Sequence, residues 1–204
     1  MKHIDKIQAI LPLGYLYLVV LGILKETVFF YQIGINILNY SSIMDILISP
    51  IATFLSHPII FIVIVLFFVF CYKLPTILYN HGHKGWVKKA FELKKTKDDL
   101  PDDGIKNYYL IVSFKFLAYG LLSVYLGFGS AEGYFTSNRI KNNKLHYDYK
   151  LNYNTGESEI VSVLESNSVY YFYVSKGEKT VKIAPIGGIR NIELIKNRML
   201  DETK

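Results

Sequence analysis

Residues 58–71 read PIIFIVIVLFFVFC. From Ile59 to Phe70 every residue is Ile, Val, Leu or Phe. Such a uniform surface suits contact with lipid rather than a polar pore lining. The run sits inside a longer stretch, Ile46–Tyr72, without Asp, Glu, Lys or Arg. As one continuous helix that stretch would be about 40 Å long, too long for one untilted crossing and too short for two. Pro50 and Pro58 resolve the excess. They predict a short helix up to His57 and a span from Pro58 to Tyr72 or slightly beyond.

Two further charge-poor runs flank it. Ile7–Leu24 is free of formal charge and is read as an uncleaved first membrane helix, with Pro12 in its tolerant first turns. Asn107–Ala131 contains a single ion, Lys115, and carries aromatic residues at both ends: Tyr108 and Tyr109, then Tyr125 and Phe128. Lys115 is placed to snorkel outward or to face an ion path. Ala118, Gly120, Ser123, Gly127, Gly129 and Ala131 supply the small residues of helix–helix contacts, although these bounds contain no strict GxxxG. Three such runs among 204 residues, 51% of them hydrophobic, exclude a disordered chain and an ordinary soluble domain. They predict a multi-pass protein of the cell membrane, such as a bacterial inner membrane, with the lipid bilayer as first partner.

Between the first two runs, Thr27–Met44 has no formal charge but spreads Gln32, Gly34, Asn36, Asn39, Ser41 and Ser42 along its length. It reads equally as an interfacial or re-entrant segment and as an extension of the first helix. Lys25-Glu26 ends the first run, as a membrane boundary or, less readily, as a gating pair. Asp45 and His57 flank Pro50 and are candidates for a shared aqueous pocket; the simpler role for Asp45 is to cap the following helix.

The segment 73–106 is the polar loop. It carries Lys73, Lys84, Lys88, Lys89, Lys94, Lys95, Lys97 and Lys106 against five acids. Lys84–Lys97 is expected to form a basic amphipathic helix on anionic lipid headgroups, with Trp86, Val87, Ala90, Phe91 and Leu93 apolar, broken at Asp98–Asp103. Positive charge places this loop in the cytoplasm, the N-terminus with it, and the C-terminal region outside. Arg139, Lys141, Lys144 and Lys150 argue against that last assignment. The net charge of +6 is largely an orientation signal, and no nucleic acid is expected as partner.

Beyond Ala131 the pattern changes. Leu145, Tyr147, Tyr149 and Leu151 alternate with polar residues, and Asn154-Thr155-Gly156 is a turn. Ile160–Leu164, Val169–Val174, Thr180–Ala184 and Ile189–Ile195 supply further strands, the last alternatively a short helix. The fold class is therefore a helical membrane region, 1–131, followed by a small antiparallel β domain, 132–204. That layout resembles small mechanosensitive channels, by architecture and through no motif.

Function is read in three classes. The first is a non-enzymatic homo-oligomeric assembly or pore, with Lys115, Gly120, Ser123, Gly127, Asp45 and His57 as candidates. The second is an anchored sensor or scaffold whose β domain binds a peptide, lipid or protein through Tyr170, Tyr171, Phe172 and Tyr173 and the sheet edges. The third is a membrane enzyme acting on lipid, which no catalytic motif supports. No cofactor is expected. His81-Gly-His83 is only a weak metal pair, and Cys71 rules out an intrachain disulfide because it is alone.

Overall fold

The computed structural model describes residues 2–56 and 58–197, and the side chains of 11–49, 51–52 and 61–197 among them. Five helices precede five strands: α1 (Lys2–Gln32), α2 (Ile43–Ser56), α3 (Pro58–His81), α4 (Gly85–Ala90) and α5 (Asp102–Lys141), then β1 (Tyr149–Tyr153), β2 (Ser158–Ser166), β3 (Tyr170–Ser175), β4 (Val181–Pro185) and β5 (Ile189–Leu194). Among the described residues, three helical stretches are long and apolar enough to cross a membrane: Leu11–Gln32, Phe61–His81 and Asp102–Lys141. The chain forms two compact units, Met1–Pro50 with Leu126–Lys204, and Ile51–Tyr125.

In the first unit, α1 continues through Thr27–Gln32 and stops at Gly34. The Ile35 N–H donates to the Phe30 carbonyl (3.0 Å) and the Gly34 N–H to that of Tyr31 (3.1 Å), with Gly34 at φ +82°. This is a Schellman stop, which a left-handed glycine permits. Two of the polar residues that suggested an interfacial segment, Asn36 and Ser42, are caps. Asn36 accepts from the Leu38 N–H in a single 3-10 turn, Ile37–Asn39. Ser42 and Asp45 form a reciprocal capping box on α2: Asp45 Oδ2 accepts from the Ser42 N–H (2.9 Å), and Ser42 Oγ accepts from the Asp45 N–H (3.1 Å). The helix therefore begins at Ile43, and Asp45 lies inside its first turn.

The sheet is wholly antiparallel, in the order β4-β3-β2-β1-β5, so β4 and β5 are its edges. Gly156 (φ +91°) and Gly177 (φ +87°) make the tight turns. One face gathers Leu151, Val161 and Tyr173 into a cluster of its own. On β3, Phe172 joins Phe29, Phe30 and Ile37 instead, which seats the sheet against the end of α1. The Phe30 and Phe172 rings meet edge to face at 4.7 Å. The first strand opens at Tyr149 rather than Leu145, because only from there does it find partners on β2 and β5.

In the second unit α3 runs nine residues past Tyr72, and the anticipated basic helix shortens to Gly85–Ala90. Glu92 adopts φ +50° and ends it. Val87 and Leu93 turn inward onto Leu74, Leu78, Ile105 and Tyr109, while Trp86 is 68% exposed. Asp99 caps a turn at Thr96, and Asp102 and Asp103 open α5, where acidic side chains suit the positive end of the helix. The third apolar helix consequently starts before Asn107 and runs beyond Ala131 to Lys141. Forty residues make a helix about 60 Å long, twice the thickness of a hydrocarbon core.

Candidate functional site

Within the first unit the most unusual side chain is Lys25, only 5% exposed although it lies in an apolar helix. Burying an ammonium is costly unless it is paired. Lys25 Nζ sits 3.2 Å from Glu26 Oε1 and 3.5 Å from Glu132 Oε2, and lies 5.6 Å from the centre of the Phe128 ring. Ser49 on α2 donates its hydroxyl to Glu26 at 3.3 Å. The charge of Glu165, on β2, adds to that of Glu26 and Glu132 around the same lysine. Two carboxylates thus pair with the ammonium, and a third, from the sheet, acts on it through its charge.

Two glycines let α5 approach α1 closely enough for this. A Cβ on Gly129 would lie 2.6 Å from the Lys25 carbonyl oxygen, and one on Gly133 would lie 2.8 Å from that of Phe29. Gly129 and Gly133 form a strict GxxxG pair, which becomes visible once the helix is seen to continue past Ala131. Both contacts advance by four residues on each helix, so the two helices run parallel here. Gln32 reinforces the pairing by donating to the Ser130 carbonyl at 2.8 Å.

A β-bulge aims Glu165. On β2, Val163 pairs with Tyr173, but Glu165 pairs with Phe172, which leaves Leu164 as the extra residue. Regular alternation would have put Glu165 on the face of Val161 and Val163. The bulge moves it to the face of Phe172, which packs on α1. Burial and the neighbouring charge of Glu26 raise its carboxyl to about 7, against the attraction of Lys25.

At the adjoining β2–β3 turn, Asp45 Oδ1 accepts the Ser168 N–H (2.9 Å) and Oδ2 the Ser168 hydroxyl (3.0 Å). Asn167 donates to the Tyr40 carbonyl at 3.0 Å. Burial pulls the Asp45 carboxyl upward, but its bonds from Ser42 and Ser168 prevail and hold it below the ordinary range. This aspartate is occupied as a tether.

The other predicted residues are scattered. Lys115, Ser123 and Gly127 are exposed on α5, and Ser123 bonds only the Tyr119 carbonyl of its own helix (2.8 Å). Gly120 faces the Phe67 ring, 2.2 Å from where a Cβ would stand. His57 lies outside the described residues. Of the aromatic run, Phe172 and Tyr173 are buried, Tyr170 packs on Tyr40 at 5.5 Å, and Tyr171 joins the cluster on the opposite face. Since β3 is flanked by β2 and β4, it offers no free edge. His81 Nδ1 lies 3.3 Å from the Ile77 carbonyl, and among the described residues no group of three His, Cys, Asp or Glu side chains is disposed to hold a metal.

Glu132, Glu165 and Ser49 were not singled out from sequence. Only Glu132 carried a signal, being flanked by Gly129 and Gly133. No protein-family model matches the chain, and no curated protein and no solved structure matches it either.

Proposed function

We propose that this is a three-span integral membrane protein that works as an anchored sensor or scaffold, with its sheet held as an extramembrane module at the ends of α1 and α5. The observation carrying this reading is the seat of the sheet on α1, the 33–42 connection and α2 through Phe172, Asn167 and Ser168. A module fixed in this way moves with its membrane helices rather than on a loose tether. Membrane insertion is supported by the exposure of Phe61, Ile62, Val63, Val65, Leu66 and Phe68 on α3, an apolar surface that lipid would cover. The parallel sense of α1 and α5 supports a single side for the 33–42 connection and the sheet. The lysines of 84–97 then face anionic headgroups on the cytoplasmic side.

A second reading, a homo-oligomeric assembly or pore, has one observation in its favour. Tyr119, Ser123, Gly127 and Ala131 recur every fourth residue along α5 and are exposed. Against it, Gly120, Gly129 and Gly133 are already occupied within the chain.

The test is labelling by a membrane-impermeant maleimide in a Cys71→Ala background. Thr155→Cys should react on intact cells, and Lys89→Cys only after permeabilisation. Labelling of both from one side would overturn the scheme. A single protomer mass in lipid nanodiscs would favour the anchored module, and a ring of subunits the pore.

A further inference from the structure

We propose that Glu165, set among Lys25, Glu26 and Glu132, is a proton-binding site that controls how tightly the β2–β3 hairpin is held on α1. The proposal goes beyond the anchored-module reading and does not depend on which side of a membrane the sheet occupies.

Charge counting comes first. With every group ionised, three partly buried carboxylates and one buried ammonium leave the cluster at a net −2. Glu26 and Glu132 are the two that touch Lys25, at 3.2 and 3.5 Å. Among the described residues Glu165 has no salt bridge, and its one hydrogen bond is accepted from the N–H of its neighbour Ser166, at 3.2 Å. A proton therefore relieves the repulsion most cheaply on Glu165. The groups facing it are Lys25 and Glu26 from α1 and Glu132 from α5, with the neutral Ser49 hydroxyl of α2 bonded to Glu26.

The bulge at Leu164 gives the site its leverage. It is what turns a β2 side chain towards α1, and Glu165 pairs directly with Phe172, the residue that seats the sheet. Adding or removing charge at 165 thus acts on the neighbour of the anchoring ring. The carboxyl rises from an ordinary 4.5 to about 7 on folding. Between those values the folded state binds the proton and the unfolded state does not, so stability falls as pH rises through that window. The hairpin is held tightly when Glu165 is neutral and loosens when it ionises.

The experiment is hydrogen exchange of full-length protein in nanodiscs, corrected for the intrinsic pH dependence of exchange, read over residues 158–175. Protection in the wild type should fall from pH 4.5 upward and level off near pH 7, with its midpoint between them. Above pH 4.5, Glu165→Gln should stay protected and flat. Glu26→Gln, which removes a repelling charge, should move the midpoint down by about one pH unit. An infrared carboxylic-acid band should titrate near pH 7, where the fall in protection ends, and be missing in Glu165→Gln. A flat wild-type profile, or a midpoint that persists in Glu165→Gln, would overturn the proposal. Should Glu165→Gln not fold, an unmoved midpoint in Glu26→Gln does so equally.

Discussion

The two units solve the same packing problem by different chemistry. In the second, α3, α4 and the start of α5 close on Leu74, Leu78, Val87, Leu93, Ile105 and Tyr109, and among the described residues no ion pair is buried there. In the first, α1, α5 and the sheet close on a buried lysine, its carboxylates and two glycine contacts. The apolar cluster is held by area and shape and is indifferent to pH. The ionic one is held by a balance of desolvation against attraction, which a single proton can tip. A device that responds to its surroundings is therefore to be sought in the first unit.

The largest expected effect breaks that balance. Lys25→Met should cost about 3–5 kcal/mol, because Glu26 and Glu132 lose their cation while remaining partly buried. Thermal unfolding in detergent, read by circular dichroism, measures it. Leu74→Ala should come next, at about 3 kcal/mol, for the cavity it leaves in the apolar cluster. Its cost should be the same at pH 5 and pH 8, whereas any variant of the charged cluster should show a pH-dependent cost. Equal behaviour of the two would erase the distinction between the units.

Glycine contacts sharpen it further. Gly129→Ala sets a methyl 2.6 Å from a backbone oxygen that cannot swing away, so about 2 kcal/mol of overpacking should outweigh the gain in helix propensity. Gly120→Ala meets the Phe67 ring, the movable end of a side chain, and the same propensity gain should offset most of the clash. Its net cost should stay within about 1 kcal/mol. Measured side by side, the two variants distinguish a fixed helix pair from an adaptable one.

These contrasts also mark what could be read from sequence. The apolar runs were legible because twelve consecutive Ile, Val, Leu and Phe residues admit few other environments. The split at Pro58 followed from proline chemistry, and the strands from alternation in 145–151, an apolar run at 169–174 and turn residues between them, the last strand being readable equally as a short helix. The ends were less legible, since Glu92 and Gly34 stop their helices through left-handed backbone, one at a residue that rarely adopts it. The charged cluster was hidden for a different reason. Lys25, Ser49, Glu132 and Glu165 lie on four elements, and the bulge that aims Glu165 reverses the face that alternation assigns it. Polar residues in 36–45 looked like a membrane-surface pattern because capping boxes and interfacial segments draw on the same Asn, Ser and Asp.

The smallest effect concerns Asp45, and its sign is the informative part. Asp45→Asn should cost about 1 kcal/mol, as for other lost helix caps, since an amide retains one acceptor where the carboxylate uses both oxygens. Hydrogen bonding holds the carboxyl below its ordinary 3.8, so its contribution is complete above that value and is lost as pH falls through the lower folded one. Glu165 works in the opposite sense, losing its contribution as pH rises from 4.5 to about 7. The two groups grip the same hairpin, Asp45 at the turn and Glu165 on the strand. Protection of residues 158–175 should therefore peak between 3.8 and 4.5, with Asp45→Asn removing the acid-side fall and Glu165→Gln the fall towards neutral. If both variants altered the same limb of the profile, the hairpin would not be held by two independent titrating contacts.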